Sequence, residues 1–103
     1  MKYIITESRL KRLVNTYLDS LDFTYQNKRI NGEFFLFLDK NLAFEYRNRP
    51  NEDTKTLMMK YHFVMNLCSI LGLNTDELIP MLIDWVNKNY ETDLSHNQWN
   101  WVL

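Results

Sequence analysis

Lys28-Arg29-Ile30-Asn31-Gly32-Glu33-Phe34-Phe35-Leu36-Phe37-Leu38-Asp39-Lys40-Asn41-Leu42-Ala43-Phe44-Glu45-Tyr46 is the stretch that decides the fold. Asn31-Gly32 supplies the two residues tolerant of positive φ that a tight type I′ hairpin needs. The run Glu33 to Leu38 is apolar on both faces, as in a strand covered on both sides. Asp39-Lys40-Asn41 is a second turn, after which Leu42, Phe44 and Tyr46 alternate with Ala43, Glu45 and Arg47. Phe23 and Tyr25 alternate in the same way upstream. The period of two predicts a three-stranded antiparallel meander, ended by Pro50 and Asn51.

Upstream of the meander the period changes. Leu10, Leu13, Val14, Tyr17, Leu18 and Leu21 fall on one helical face, opposite Arg9, Lys11, Arg12, Asn15, Thr16 and Asp19. Thr6 suits the N-cap, and Glu7 complements the positive end of the helix dipole. Tyr3-Ile4-Ile5 reads as a short strand or as packing for the helix start.

Downstream, Asn51 or Asp53 is expected to cap a second helix running to Leu71. Leu57, Met58, Tyr61, Val64, Met65, Cys68 and Leu71 form one stripe, and Met59, Phe63, Leu67 and Ile70 another. A helix so apolar is expected at the centre of the core. Gly72 fits its left-handed C-terminal residue. Asn74-Thr75-Asp76-Glu77 has the spacing of a capping box for a third helix. Pro80 in that helix predicts a kink or a restart near Ile79. Trp99, Trp101 and Leu103 alternate in a closing strand at the sheet edge. The expectation is one α+β domain over residues 1–103: an N-terminal helix, a three-stranded antiparallel meander, two further helices packed on the sheet and a short C-terminal strand.

Length and composition suit that reading. The chain has 103 residues, 46% hydrophobic and 24% charged, enough for one real core. A single cysteine, Cys68, excludes an internal disulfide and a Cys-rich zinc site. No long apolar segment marks a signal peptide or a membrane span, so a cytoplasmic location is expected. The net charge of −1 argues against bulk nucleic-acid binding. The charge is uneven, however: nine Lys/Arg against six Asp/Glu in residues 1–50, and three against seven thereafter.

Catalytic groups are sparse. His62, Asn66 and Ser69 share a helical face without a carboxylate to orient the imidazole, and they read as a polar seam. Asp93, Ser95 and His96 have the residue types of a triad but not a spacing that brings them together in a strand. No catalytic residue, metal site or cofactor is assigned. Two surfaces remain. Arg9, Lys11, Arg12, Lys28, Arg29, Arg47 and Arg49, with Tyr25 and Tyr46, could bind single-stranded nucleic acid if they converge. The aromatic excess, 15% of the chain, is the stronger hint. One face of the middle strand meets the helices. Phe35 and Phe37 on the other need a cover: the first helix, the Trp99/Trp101 strand, or a partner, with an internal cover favoured; the candidate partner contacts are Phe35, Phe37, Trp99 and Trp101.

The opening Met1-Lys2-Tyr3-Ile4-Ile5-Thr6-Glu7-Ser8, with Leu10 and the helix after it, resembles a loose group of small uncharacterised proteins of marine tailed phages. Leu71-Gly72-Leu73-Asn74-Thr75-Asp76-Glu77-Leu78 and Trp85-Val86-Asn87-Lys88 are similar to their C-terminal helix region. The resemblance implies a phage source and brings no activity with it. The expected function is a non-catalytic protein-interaction domain. It would bind a host protein, inhibition of a defence system included, or serve as a small assembly component. A nucleic-acid-binding module is the alternative.

Overall fold

The computed structural model describes residues 7–52 and 54–103. The expected short strand at Tyr3–Ile5, the Thr6 cap and an Asp53 cap lie outside the described residues. The chain is α+β. Helix α1 (Glu7–Ser20) leads into strands β1 (Thr24–Asn27), β2 (Phe34–Leu38) and β3 (Asn41–Arg49). A 3-10 turn, Pro50–Glu52, joins β3 to β4 (Thr54–Lys60). Helices α2 (Tyr61–Leu71) and α3 (Thr75–Tyr90) and strand β5 (Trp99–Val102) complete it. The strands form one five-stranded sheet in sequence order, antiparallel from β1 to β4, with β5 parallel to β4.

The hairpin chemistry is as the residues dictate. Asn31 and Gly32 take φ of 52° and 74°, and the Glu33 N–H donates to the Ile30 carbonyl at 2.8 Å. The second hairpin uses the same left-handed pair without a glycine: Asp39 and Lys40 have φ of 51° and 67°, directly between the paired Leu38 and Asn41. A β-bulge at Ala43 follows, where Leu36 pairs with Phe44 but Phe37 pairs with Leu42.

The meander has more strands than the expected three, because Thr54–Lys60 is a strand and not the first turns of a helix. Leu57 and Met59 are fully buried on one face, and Thr56, Met58 and Lys60 point to the other. Met58 makes the run apolar on both faces and so mimics a helical stripe. Asn51 belongs to the 3-10 turn and caps nothing in α2, whose N-cap is Lys60, still extended at φ −69° and ψ 121° with no side-chain cap. The chain passes from strand to helix without turn residues, which is why the boundary carries no sequence signal.

Shortened in this way, α2 is not the central helix. Val64, Leu67 and Cys68 are buried, but Met65 and Ile70 are exposed. The central role falls to α3, which buries Leu78, Ile79, Leu82, Ile83, Trp85 and Val86. Its capping box is formed: Asn74 Oδ1 accepts from the Glu77 N–H at 2.9 Å, and Glu77 Oε1 accepts from the Asn74 N–H at 3.2 Å. The helix runs unbroken past Pro80, with no restart at Ile79. Gly72 (φ 68°) closes α2, with the Leu73 N–H on the Cys68 carbonyl. In α1, Val14 and Leu18 are buried as the face predicts, whereas Leu13 is 51% exposed and not a core residue.

The three helices contribute to one core with Phe34, Leu36, Phe44, Tyr46, Leu57 and Met59 of the sheet. Most aromatic rings are spent there. Phe23 touches Phe44, Phe63 and Trp85, and Tyr25 stacks on Tyr90 at 5.8 Å and 4°. The indole N–H of Trp85 donates to Asp19 Oδ1 at 2.9 Å and ties α3 to α1. No helix among the described residues is long and apolar enough to cross a membrane.

Candidate interaction surface

Strand register assigns the two faces of the sheet. Residues paired across strands share a face. Phe34, Tyr46, Leu57 and Trp99 therefore form one row under the helices. The neighbouring row, Gln26, Phe35, Glu45, Met58 and Asn100, lies on the opposite face. Phe37 and Leu42 flank it at one end, and Arg47 and Thr56 at the other. Among the described residues, the expected internal cover for this face is not formed. The core helices pack on the other side, and the C-terminal tryptophans go with them.

The four aromatic partner candidates are thus divided. Phe35 and Phe37 sit on the open face, half-buried, with ring centroids 5.7 Å apart. Trp99 and Trp101 pack against the core and meet each other edge-to-face at 4.9 Å, and Trp101 meets Tyr61 at 5.3 Å. The indoles close the sheet edge internally.

An ionic cluster occupies the middle of the open face. Lys28 Nζ reaches Glu33 Oε1 at 3.2 Å, bonds the Glu45 carboxylate, and lies 4.4 Å above the Phe35 ring. Arg47 Nε donates to Glu45 Oε2 at 2.9 Å, and Arg49 Nε lies 3.5 Å from Glu33 Oε2. Both carboxylates are buried, so such partners are required to offset their desolvation. Burial pushes the Glu45 carboxyl up, but hydrogen bonds from Arg47 and Lys28 outweigh it and hold the group below its ordinary value. The cations lie over the carboxylates and leave the flanking Phe37, Leu42 and Met58 as the apolar part of the surface.

The seven basic candidates do not converge. Lys28, Arg47 and Arg49 belong to the open-face cluster, and exposed Arg29 sits in the adjoining hairpin with φ 61°. Arg9, Lys11 and Arg12 are exposed on α1, in the helical layer. Lys11 is paired with Asp84 at 3.2 Å.

The triad types are likewise dispersed. Asp93 pairs with Lys55 at 3.0 Å, while the Ser95 hydroxyl bonds Asn97 and Gln98. His96 Nε2 instead meets Asp84 Oδ1 at 2.8 Å, beside a cleft that Lys11 and Glu77 also line. Burial raises the Asp84 carboxyl, and hydrogen bonds from His96 and Lys11 more than reverse it, so it too lies below its ordinary value. Asp84 is on a helix and His96 on the loop before β5, twelve residues on, so no local spacing announces the pair. His62, Asn66 and Ser69 share the exposed side of α2. Cys68 is buried, which pushes its thiol up and away from reactivity. Among the described residues no group of three or more His, Cys, Asp or Glu could hold a metal ion. Comparison with protein-family models, curated proteins and solved structures finds no match to this chain.

Proposed function

We propose that this chain is a non-catalytic protein-interaction domain whose working surface is the open face of the sheet. One observation carries the reading: the helices cover one face only, leaving Phe35, Phe37, Leu42 and Met58 half-buried around a charged centre. Apolar side chains beside arginines, on a rigid sheet, have the composition of an interface core. The phage-like ends of the chain supply a setting, in which the partner is a host protein held by this face, a defence component among the candidates, or a neighbour in an assembly.

The test is affinity capture by the wild-type protein and by Phe37→Glu, from host lysate with and without nuclease. A protein partner held by the wild type, lost with Phe37→Glu and unaffected by nuclease, supports the reading. Equal capture by both proteins overturns it. The nucleic-acid alternative draws less support, because its basic residues are split between the helical layer and the ion-paired sheet face. Salt-sensitive binding lost in Arg9→Glu/Arg12→Glu would restore it.

A further inference from the structure

The sheet has two edges, and they are finished differently. At β5, the Leu57 N–H donates to the Gln98 carbonyl at 2.9 Å, which fixes the parallel ladder and turns the main-chain groups of Trp99 and Trp101 outward. The outward Trp101 N–H is already taken by the Asn100 side chain at 2.8 Å. One of the outward groups of that edge is thus closed within the chain.

At β1, nothing comparable occurs among the described residues. The Lys28 N–H donates to the Glu33 carbonyl at 3.0 Å, which sets the phase of the antiparallel ladder. Thr24 and Gln26 then turn their main-chain groups toward β2, and Tyr25 and Asn27 turn theirs outward. All four residues of β1 are exposed, and the strand carries neither proline nor charge, two of the usual protections of an edge. Among the described residues, no main-chain bond from a loop or cap reaches Tyr25 or Asn27.

We infer that the β1 edge pairs antiparallel with β1 of a second copy of this chain, about a two-fold axis at Gln26, joining two sheets into one. This goes beyond the proposed function and is independent of it, since it uses an edge and not the open face. The phase selects the register. Outward Tyr25 of each copy exchanges both main-chain bonds with outward Asn27 of the other, and the two Gln26 residues meet as the non-hydrogen-bonded pair. Charge selects the occupant. Asp22 precedes β1 and Arg29 follows it, both exposed, so the two-fold lays each Asp22 beside the Arg29 of the other copy. A parallel arrangement would set like charge against like. Joined in this way, the two open faces form one continuous surface.

The seam is short, at the small end of interfaces, below about 1,200 Å². Light scattering should therefore follow the full chain up to about 1 mM. The expected mass rises with concentration from 12.6 kDa toward twice that value. Gln26→Glu and Gln26→Lys each put like charges across the axis and should weaken the association about five-fold, and mixing the two should restore it. Gln26→Cys should oxidise to a covalent dimer, because paired Cα atoms about 4.5 Å apart lie within disulfide reach. Thr24→Cys, offset along the seam, should not. A wild type that stays monomeric throughout overturns the inference. So does a dimer indifferent to both Gln26 charges, or cross-linking that does not distinguish position 26 from 24.

Discussion

At the scale of single residues, pattern decides a face but not its limits. Leu13 and Val14 both fit the apolar face of α1, yet one is half exposed and the other fully buried, because the core covers only part of that face. Leu18→Ala should therefore cost about 2–5 kcal/mol, the range for emptying a packed position, whereas Leu13→Ala should stay within about 0.5 kcal/mol. Chemical denaturation of the two variants measures the difference. Lys40 holds a left-handed conformation at φ 67° that a side chain disfavours by roughly 1–2 kcal/mol. Lys40→Gly should raise stability by about 1 kcal/mol, since Asp-Gly suits this hairpin type. A lowered midpoint for Lys40→Gly would mean the lysine makes a compensating contact.

Elements were legible where they carry their own punctuation. Asn31-Gly32, Gly72 and the Asn74–Glu77 box each bring a turn or cap chemistry that works locally, and each is found where its residues stand. The β4–α2 junction has no such mark. Lys60 ends a strand and starts a helix in one step, and the apolar run from Leu57 to Met59 satisfies either period. Register was equally hidden: it is set by the Ala43 bulge and by the parallel docking of β5, and these separate Trp99 and Trp101 from Phe35 and Phe37. The capping box offers a test at this scale. Asn74→Ala should cost about 1 kcal/mol, and Asn74→Ser, which can still accept from the Glu77 N–H, should recover most of it.

For the whole molecule, the one-sided arrangement of helices is the fact from which the rest follows. It buries the aromatic core on one side and leaves Glu33 and Glu45 dependent on Lys28, Arg47 and Arg49 on the other. The pH response has a definite sign. Glu45 and Asp84 titrate below their ordinary values in the folded chain, so each adds stability that is fully present above the unfolded carboxylate values. That contribution is lost as the pH falls below the ordinary 4.5 of Glu and 3.8 of Asp toward the lowered folded values. Glu45→Gln should flatten the acid limb of a stability–pH profile. At neutral pH it should cost about 2–3 kcal/mol, less than a fully buried pair because Lys28 and Arg47 still reach water.

The central claim is that the open sheet face engages another protein, and a photo-crosslinking side chain at position 37 tests it most directly. Irradiation in host cells should give one discrete protein adduct from position 37, and none from the same group at position 13, exposed on the helical side. No adduct from position 37, or the same adduct from both positions, would contradict the account.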